Sequence, residues 1–135
     1  MKIVRQITVF DAMDVATESA FWAGLLGGEV WADETFHSVI VDGKWRLGIQ
    51  AAANHVAPDW PAGRQLQQVH LDLHVEDLGA AHEHATSLGA RLLKAADDPD
   101  ADEGYRVYAS PAGHPFCLGW HPSVPDEHDF GATRG

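Results

Sequence analysis

Two stretches, 1–51 and 67–120, read as the same series of elements, and this repetition limits the possible folds more than any other feature of the chain. Each opens on a strand candidate, KIVRQITVF at 2–10 and QQVHLDLHV at 67–75. Each then continues into a helix. Asp14 is a suitable N-cap for a helix over 15–26, in which Val15, Trp22, Leu25 and Leu26 fall at roughly helical spacing. Asp77 opens the second helix, whose Leu78, Ala81, Ala85 and Leu88 recur at i, i+3, i+7 and i+10. Gly27-Gly28 stops the first helix and Gly89 the second. Three strand candidates follow each time: 29–33, 37–41 and 45–50, then 90–95, 105–109 and 115–120. Asp42-Gly43 between two of them is a strong hairpin signal.

Short strings align the two units. Val9-Phe10-Asp11 matches Val75-Glu76-Asp77, Leu26-Gly27-Gly28 matches Leu88-Gly89-Ala90, and Ile49-Gln50 matches Phe116-Cys117. Neither unit alone can bury a sheet face, so the two should pair. The expected fold is α+β: two βαβββ modules forming one domain over 1–120, with a helix on one face of each sheet. The other faces would curve together around a central cleft. Module one spans 1–51, a Pro- and Gly-containing connection spans 52–66, and module two spans 67–120. An irregular tail covers 121–135.

The stretch VHLDLHVEDL, Val69 to Leu78, carries the densest chemistry. Strand side chains alternate between faces, so Val69, Leu71, Leu73 and Val75 share an apolar face and His70, Asp72 and His74 a polar one. A spacing of two places these ionisable groups within about 7 Å of one another. Asp72 can orient or charge either imidazole and make it a general base near neutral pH. The corresponding face of the first strand offers Val4, Gln6 and Thr8, with no ionisable group. Proton transfer is therefore expected from module two, with Gln6 and Thr8 as ligand contacts. The plainer reading of the column is a hydrogen-bonding, water-binding wall.

Nine Lys and Arg against twenty Asp and Glu leave a net charge of −11. Such a surface repels phosphate backbones and anionic membranes, which excludes nucleic acid and membrane as partners. No apolar run is long enough for a membrane helix, and the N-terminal residues lack the apolar core of a signal peptide. A single cysteine excludes an intramolecular disulfide framework, so the cytoplasm is the expected compartment.

Other residues invite chemical readings. Cys117, in an apolar PFCL run, reads first as a small core residue and second as a nucleophile or soft ligand, with His70 as its base. DDPDADEG at 97–104 has acidic residues at calcium-loop spacing. It carries Glu103 where glycine is needed and Ala109 where glutamate is needed, so it reads as a solvated turn. Trp60, with Trp45 and Trp120 near strand ends, could supply an aromatic wall, and Trp60 is the one assigned to a ligand pocket. Trp22 is assigned to the core. His82 and His84 lie off the helix stripe and are expected to face solvent. Ser110 to Gly113 reads as a turn, with no catalytic-serine signature.

FWAGLLGGEV at 21–30, QQVHLDLHVEDL at 67–78 and SPAGHPFCLGW at 110–120 resemble the vicinal oxygen chelate superfamily, and within it a glyoxalase-like subgroup common in actinobacteria. That superfamily includes glyoxalase I, bleomycin-resistance proteins, extradiol dioxygenases and methylmalonyl-CoA epimerase. In metal-dependent members the resemblance implies one ligand near the start of each module's first strand and one at the end of its last. Strand alignment puts these at Val4, Gln50, His70 and Cys117. Only His70 is of the standard type. Val4 cannot ligate, Gln50 lacks a charge, and Cys117 is a soft thiol where a carboxylate belongs.

The expectation is therefore a small-molecule-binding, homodimeric protein with no cofactor and no metal centre of the family type. It would sequester a compound, or act as a metal-independent lyase or isomerase through His70, Asp72 and His74. Gln6, Thr8, Gln50, Trp60 and Cys117 would contact the ligand. One alternative is a metal-dependent lyase or isomerase holding a divalent ion on His70, Gln50 and Cys117. Another is a non-catalytic structural or regulatory dimer module.

Overall fold

Among the described residues there are two four-stranded sheets, each backed by one helix. The structure is a computed structural model and describes residues 1–59, 63–66 and 68–120. The assignments made to Trp60 and to the tail at 121–135 lie outside the described residues.

Module one runs β1 Thr8–Ala12, α1 Val15–Leu26, β2 Glu29–Ala32, β3 Phe36–Val41 and β4 Lys44–Ala51. Module two runs β5 Leu71–His74, α2 Leu78–Ser87, β6 Arg91–Lys94, β7 Gly104–Ala109 and β8 Pro115–Trp120. The strand orders are β1-β4-β3-β2 and β5-β8-β7-β6. In both sheets the first strand lies parallel to the last, and the remaining pairs are antiparallel. This is the expected α+β repeat of βαβββ units. The first strand of each module is shorter than its apolar alternation implies: residues 1–7 and 68–70 carry no strand.

Local chemistry sets the element ends. Asp14 accepts from the Thr17 amide at 3.0 Å and Asp77 from the Ala80 amide at 3.0 Å, each satisfying an N–H that has no partner within its helix. α1 ends on Gly27 at φ 72°, the left-handed cap that favours glycine. Asp42 at φ 51° and Gly43 at φ 74° form the two-residue turn between β3 and β4.

The caps also correct the internal alignment. Taking Asp14 and Asp77 as equivalent sets Phe10 on Leu73, Val9 on Asp72 and Ile7 on His70. The parallel registers agree: Phe10 lies beside Ile49 as Leu73 lies beside Leu118, and all four pack into the core. Gly48 is thereby the counterpart of Cys117, and Gln50 that of Gly119. The string match of Val9 with Val75 was out of phase by an odd number of residues, which in a strand exchanges the two faces.

The modules meet through their helix-bearing sides. Phe21 and Trp22 of α1 pack against Phe116 of β8 at ring-centroid distances of 5.8 and 5.4 Å. α1 therefore has cover on two sides, its own sheet and the second module. Its buried residues are Glu18, Ser19, Phe21, Trp22 and Ala23, a wider face than the expected stripe of Val15, Trp22, Leu25 and Leu26. Glu18 is fully buried and accepts from Trp22 Nε1 at 2.8 Å, Ser110 Oγ at 2.6 Å and the Ala112 amide at 2.8 Å. His84 Nε2 donates to the Gly24 carbonyl at 2.9 Å, and His82 Nδ1 lies 2.8 Å from the Tyr108 hydroxyl. His84 faces solvent as expected while bonding across the module boundary, and His82 is half-buried against its own sheet. The spacing rule places them off the apolar stripe but cannot foresee a second partner surface.

Candidate functional site

The alternation in β5 sorts its side chains as the sequence implies. Leu71, Leu73 and Val75 pack against the core, and Asp72 and His74 project from the opposite face of the sheet. β8 alternates in step. Phe116 and Leu118 enter the core, while Cys117 and Gly119 line the open face, in register with Asp72 and His74. Gly119 leaves room that a side chain would fill, since a Cβ there would meet the Gly104 carbonyl at 3.1 Å and His74 Cδ2 at 3.5 Å.

These strands floor a cavity of about 580 Å³. His70, Asp72 and His74 form its wall on the β5 side. The β6–β7 connection supplies Asp97, Asp98 and Glu103 to the lining, and Tyr105 and Trp120 add aromatic rings. The Trp120 ring covers Gly104, where a Cβ would come within 2.6 Å, and its Nε1 donates to the Ala101 carbonyl at 2.9 Å. That bond ties the acidic connection to the end of β8. Asp97 is also held, by Lys94 Nζ at 3.0 Å. The turn is solvent-exposed as expected, and its Asp97, Asp98 and Glu103 also border the cavity.

All lining residues of this cavity belong to module two. Whether the open faces close on each other within one chain or against a second copy is open from the sequence; here the shared core joins the modules on their other sides and this cavity lies on the second sheet. Gln6 is exposed ahead of β1. Thr8 shares strand parity with the buried Phe10 and Ala12, and Gln50 is exposed beside Asp11. None of the three lines the cavity. The first sheet presents a different surface. Its row Val9, Gly48, Ser38 and Trp31 corresponds to Asp72, Cys117, Val107 and Lys94 in the second. The Phe36 ring occupies the space over Gly48, where a Cβ would lie 2.2 Å from it, and meets Trp45 edge-on at 6.1 Å. Arg5 stands over the Trp45 ring at 5.2 Å.

The polar core of the site is compact. His70 Nε2 lies 3.1 Å from Asp72 Oδ1, and one donor atom each from His70, Asp72 and Cys117 lie within 4.8 Å of one another. Cys117 is 7% exposed. Burial pushes its thiol up from 9.0 to about 11, and the Asp72 carboxylate adds to the shift by its charge and by hydrogen bonding to the thiol. At neutral pH the thiol is protonated and a poor nucleophile. Removing the charge with Asp72→Asn should lower that pKa toward the ordinary value. Alkylation by iodoacetamide near pH 8 should then speed up several-fold, and the rate–pH profile should shift to lower pH. An unchanged profile would show that Asp72 does not act on the thiol.

His70, Asp72 and Cys117 each turn one possible ligand atom toward the same point. Imidazole, carboxylate and thiolate are the usual ligand types of zinc-like sites, and the cavity beside them leaves room for substrate in further positions. Asp72, and not Gln50, stands with His70 and Cys117.

A glyoxalase-like domain model matches residues 7–119. The chain belongs to the glyoxalase-like domain family. It thereby falls within the vicinal oxygen chelate superfamily, and its two βαβββ modules are that superfamily's fold. Among solved structures, the FosX fosfomycin resistance protein of Listeria monocytogenes superposes with a TM-score of 0.65 at 12% identity, covering 89% of this chain and 94% of that one. A glyoxalase-related enzyme from Fulvimarina pelagi gives 0.66 at 18% identity, over 91% and 92%. A glyoxalase/bleomycin resistance protein from Catenulispora acidiphila gives 0.56 at 19% identity, over 89% and 100%. At these identities the likeness is one of fold. No functionally curated protein matches this glyoxalase-like chain in sequence. Among its described residues, no helix is long and apolar enough to cross a membrane.

Proposed function

We propose that this glyoxalase-like protein binds a small organic molecule in the cavity of module two, and either sequesters it or acts on it as a lyase or isomerase. The observation that carries this reading is the cavity, about 580 Å³ with ionisable groups and aromatic rings in its walls. That volume lies in the range of small-molecule sites, roughly 300–1,000 Å³. The FosX proteins of similar fold are named for fosfomycin resistance, which supports a small organic compound as the ligand class.

In the metal-independent form, His70 Nε2 donates to Asp72. That contact leaves His70 Nδ1 free to take a proton from the bound molecule, and His74 on the same wall can return one. The His70–Asp72–Cys117 cluster favours a second form, in which a divalent ion held there polarises a substrate oxygen. Thermal-shift screening of small organic compounds tests the binding reading. A ligand should raise the Tm of the wild type, and the gain should shrink in Trp120→Ala and His74→Ala. A gain that is undiminished in both variants would move the site elsewhere.

The reading includes a homodimer. The first sheet's open face exposes Val9 and Trp31 beside Phe36 and Trp45, and a second copy could set that face over the cavity. Sedimentation at micromolar concentration should show a dimer, and a pure monomer would overturn this part. The single cysteine and the acidic surface suit the cytoplasm, the compartment we assign.

A further inference from the structure

We infer that the cavity of module two takes an organic cation, an alkyl- or arylamine, with its ammonium on the Tyr105 ring beside Asp97 and its uncharged body over Gly119. The inference rests on the small-molecule binding proposed above and names the ligand class.

Strand register sets the open face of the second sheet as a grid. Lys94, Val107, Cys117 and Asp72 form one row across β6, β7, β8 and β5, and Tyr105, Gly119 and His74 form the next. Gly119 has no side chain, and a Cβ there would already lie 3.5 Å from His74 Cδ2 and 3.7 Å from Tyr105 Cβ. The second row is therefore a slot between an imidazole and a phenol ring, and it opens into the cavity.

The charge of the lining selects what enters. It holds four carboxylates, Asp72, Asp97, Asp98 and Glu103, and among the described residues no Lys or Arg. The negative potential of such a recess, in a chain of net charge −11, draws in cations and disfavours anions. Carboxylates alone do not make a binding site, but the Tyr105 ring already carries an ammonium. Lys94 Nζ stands 5.3 Å over the ring centroid and 3.0 Å from Asp97 Oδ1, the geometry of cation recognition on an aromatic face. Tyr105 and Asp97 both line the cavity, so the place where Lys94 rests is a cation seat at its edge.

Lys94 can leave that seat. Its stem is flexible, its side chain is 35% exposed and that of Asp97 is 86% exposed, so water competes for the pair and little holds it together. A ligand ammonium joined to an apolar body adds the burial of that body in the slot over Gly119. On binding, Lys94 turns to solvent and the ligand's charge takes its place. The body of the ligand then extends toward His74, the side from which a proton can be exchanged.

Calorimetric titration of the full-length protein at pH 8 with benzylamine, benzyltrimethylammonium, benzyl alcohol and benzoate tests this. The two cations should bind at least about tenfold more tightly than benzyl alcohol, and benzoate should not bind. Raising NaCl from about 0.05 to 0.5 M should weaken the cations several-fold and leave benzyl alcohol unchanged. Tyr105→Leu should weaken the cations by about fivefold. Lys94→Met keeps the stem, removes the competing ammonium and should tighten them by a similar factor. Circular dichroism of each variant separates lost binding from lost folding. Equal affinity for benzylamine and benzyl alcohol would overturn the inference and leave the small-molecule reading standing. Lys94→Met without tighter cation binding would take the charge off Tyr105 and overturn it likewise. Failure of all four probes would also overturn it, while the thermal-shift screen of other compounds decides the binding reading separately.

Discussion

Glu18→Ala is expected to destabilise the protein by about 3–5 kcal/mol. The carboxylate is fully buried and is the acceptor for three donors: the Trp22 indole, the Ser110 hydroxyl and the Ala112 amide. Truncation would leave those donors facing a void. Each unsatisfied buried group costs about 1–3 kcal/mol, and the Ser110 hydroxyl can recover part by rotating. The bonds to Ser110 and Ala112 also span the module boundary, and they hold the β7–β8 turn on α1. Urea unfolding should show the loss as a lower midpoint with an unchanged slope, and the Tm should fall by roughly 10 °C or more. Glu18→Gln should recover little. Oε2 serves Trp22 and Ser110 while Oε1 serves Ala112, so an amide NH₂ must face an N–H donor in either orientation. Stability within 1 kcal/mol or so of wild type in the Gln variant would show that one acceptor oxygen suffices.

Phe116→Ala should cost a comparable 3–5 kcal/mol or so. The ring is fully buried where the two modules join, stacked on Tyr108 at 5.5 Å and touching Phe21 and Trp22. Removing it opens a cavity between elements fixed by their own sheets, which limits collapse. Phe116→Leu, which keeps most of the volume, should lose less than half as much. The two sides of β8 are coupled through one backbone, so the Ala variant should also expose Cys117 and speed its alkylation. A Phe116→Ala protein with wild-type stability would mean that the modules do not share a core.

The same residues show how far the sequence could be read. The element order, the two helix caps and the Asp42-Gly43 turn were legible, because caps and turns are satisfied by side chains within three residues of the backbone they serve. The two faces of β5 were legible too, since strand alternation is a local property. The repeat was legible as a pattern but not in phase. Sequence strings gave no reason to prefer the Asp14–Asp77 match, and an odd slip in a strand exchanges its faces. For that reason the strings set Thr8 on the open face, whereas their match of Gln50 with Cys117 is a two-residue slip, which keeps the face but misplaces the pairing.

Other features depended on contacts between distant parts of the chain. Glu18 reads in sequence as an ordinary helix surface residue, and only the return of the chain at Ser110 to Ala112 makes it a buried acceptor. His84 meets the Gly24 carbonyl sixty residues away. The acidic run at 97–104 borders the cavity and is tied to the end of β8 where Trp120 donates to Ala101.

By itself, then, the sequence determined two βαβββ modules and a strand presenting His70, Asp72 and His74 together. Periodicity and capping act over a few residues, and those signals survive without any tertiary information. Tertiary structure decided which side of each sheet became core, which module holds the cavity, and that Cys117 stands beside Asp72. Those outcomes turn on where Trp22 and Phe116 find their partners. Burying such rings on one side of each sheet leaves the other side open, and on the second open face Asp72, His74 and Cys117 stand in the cavity wall.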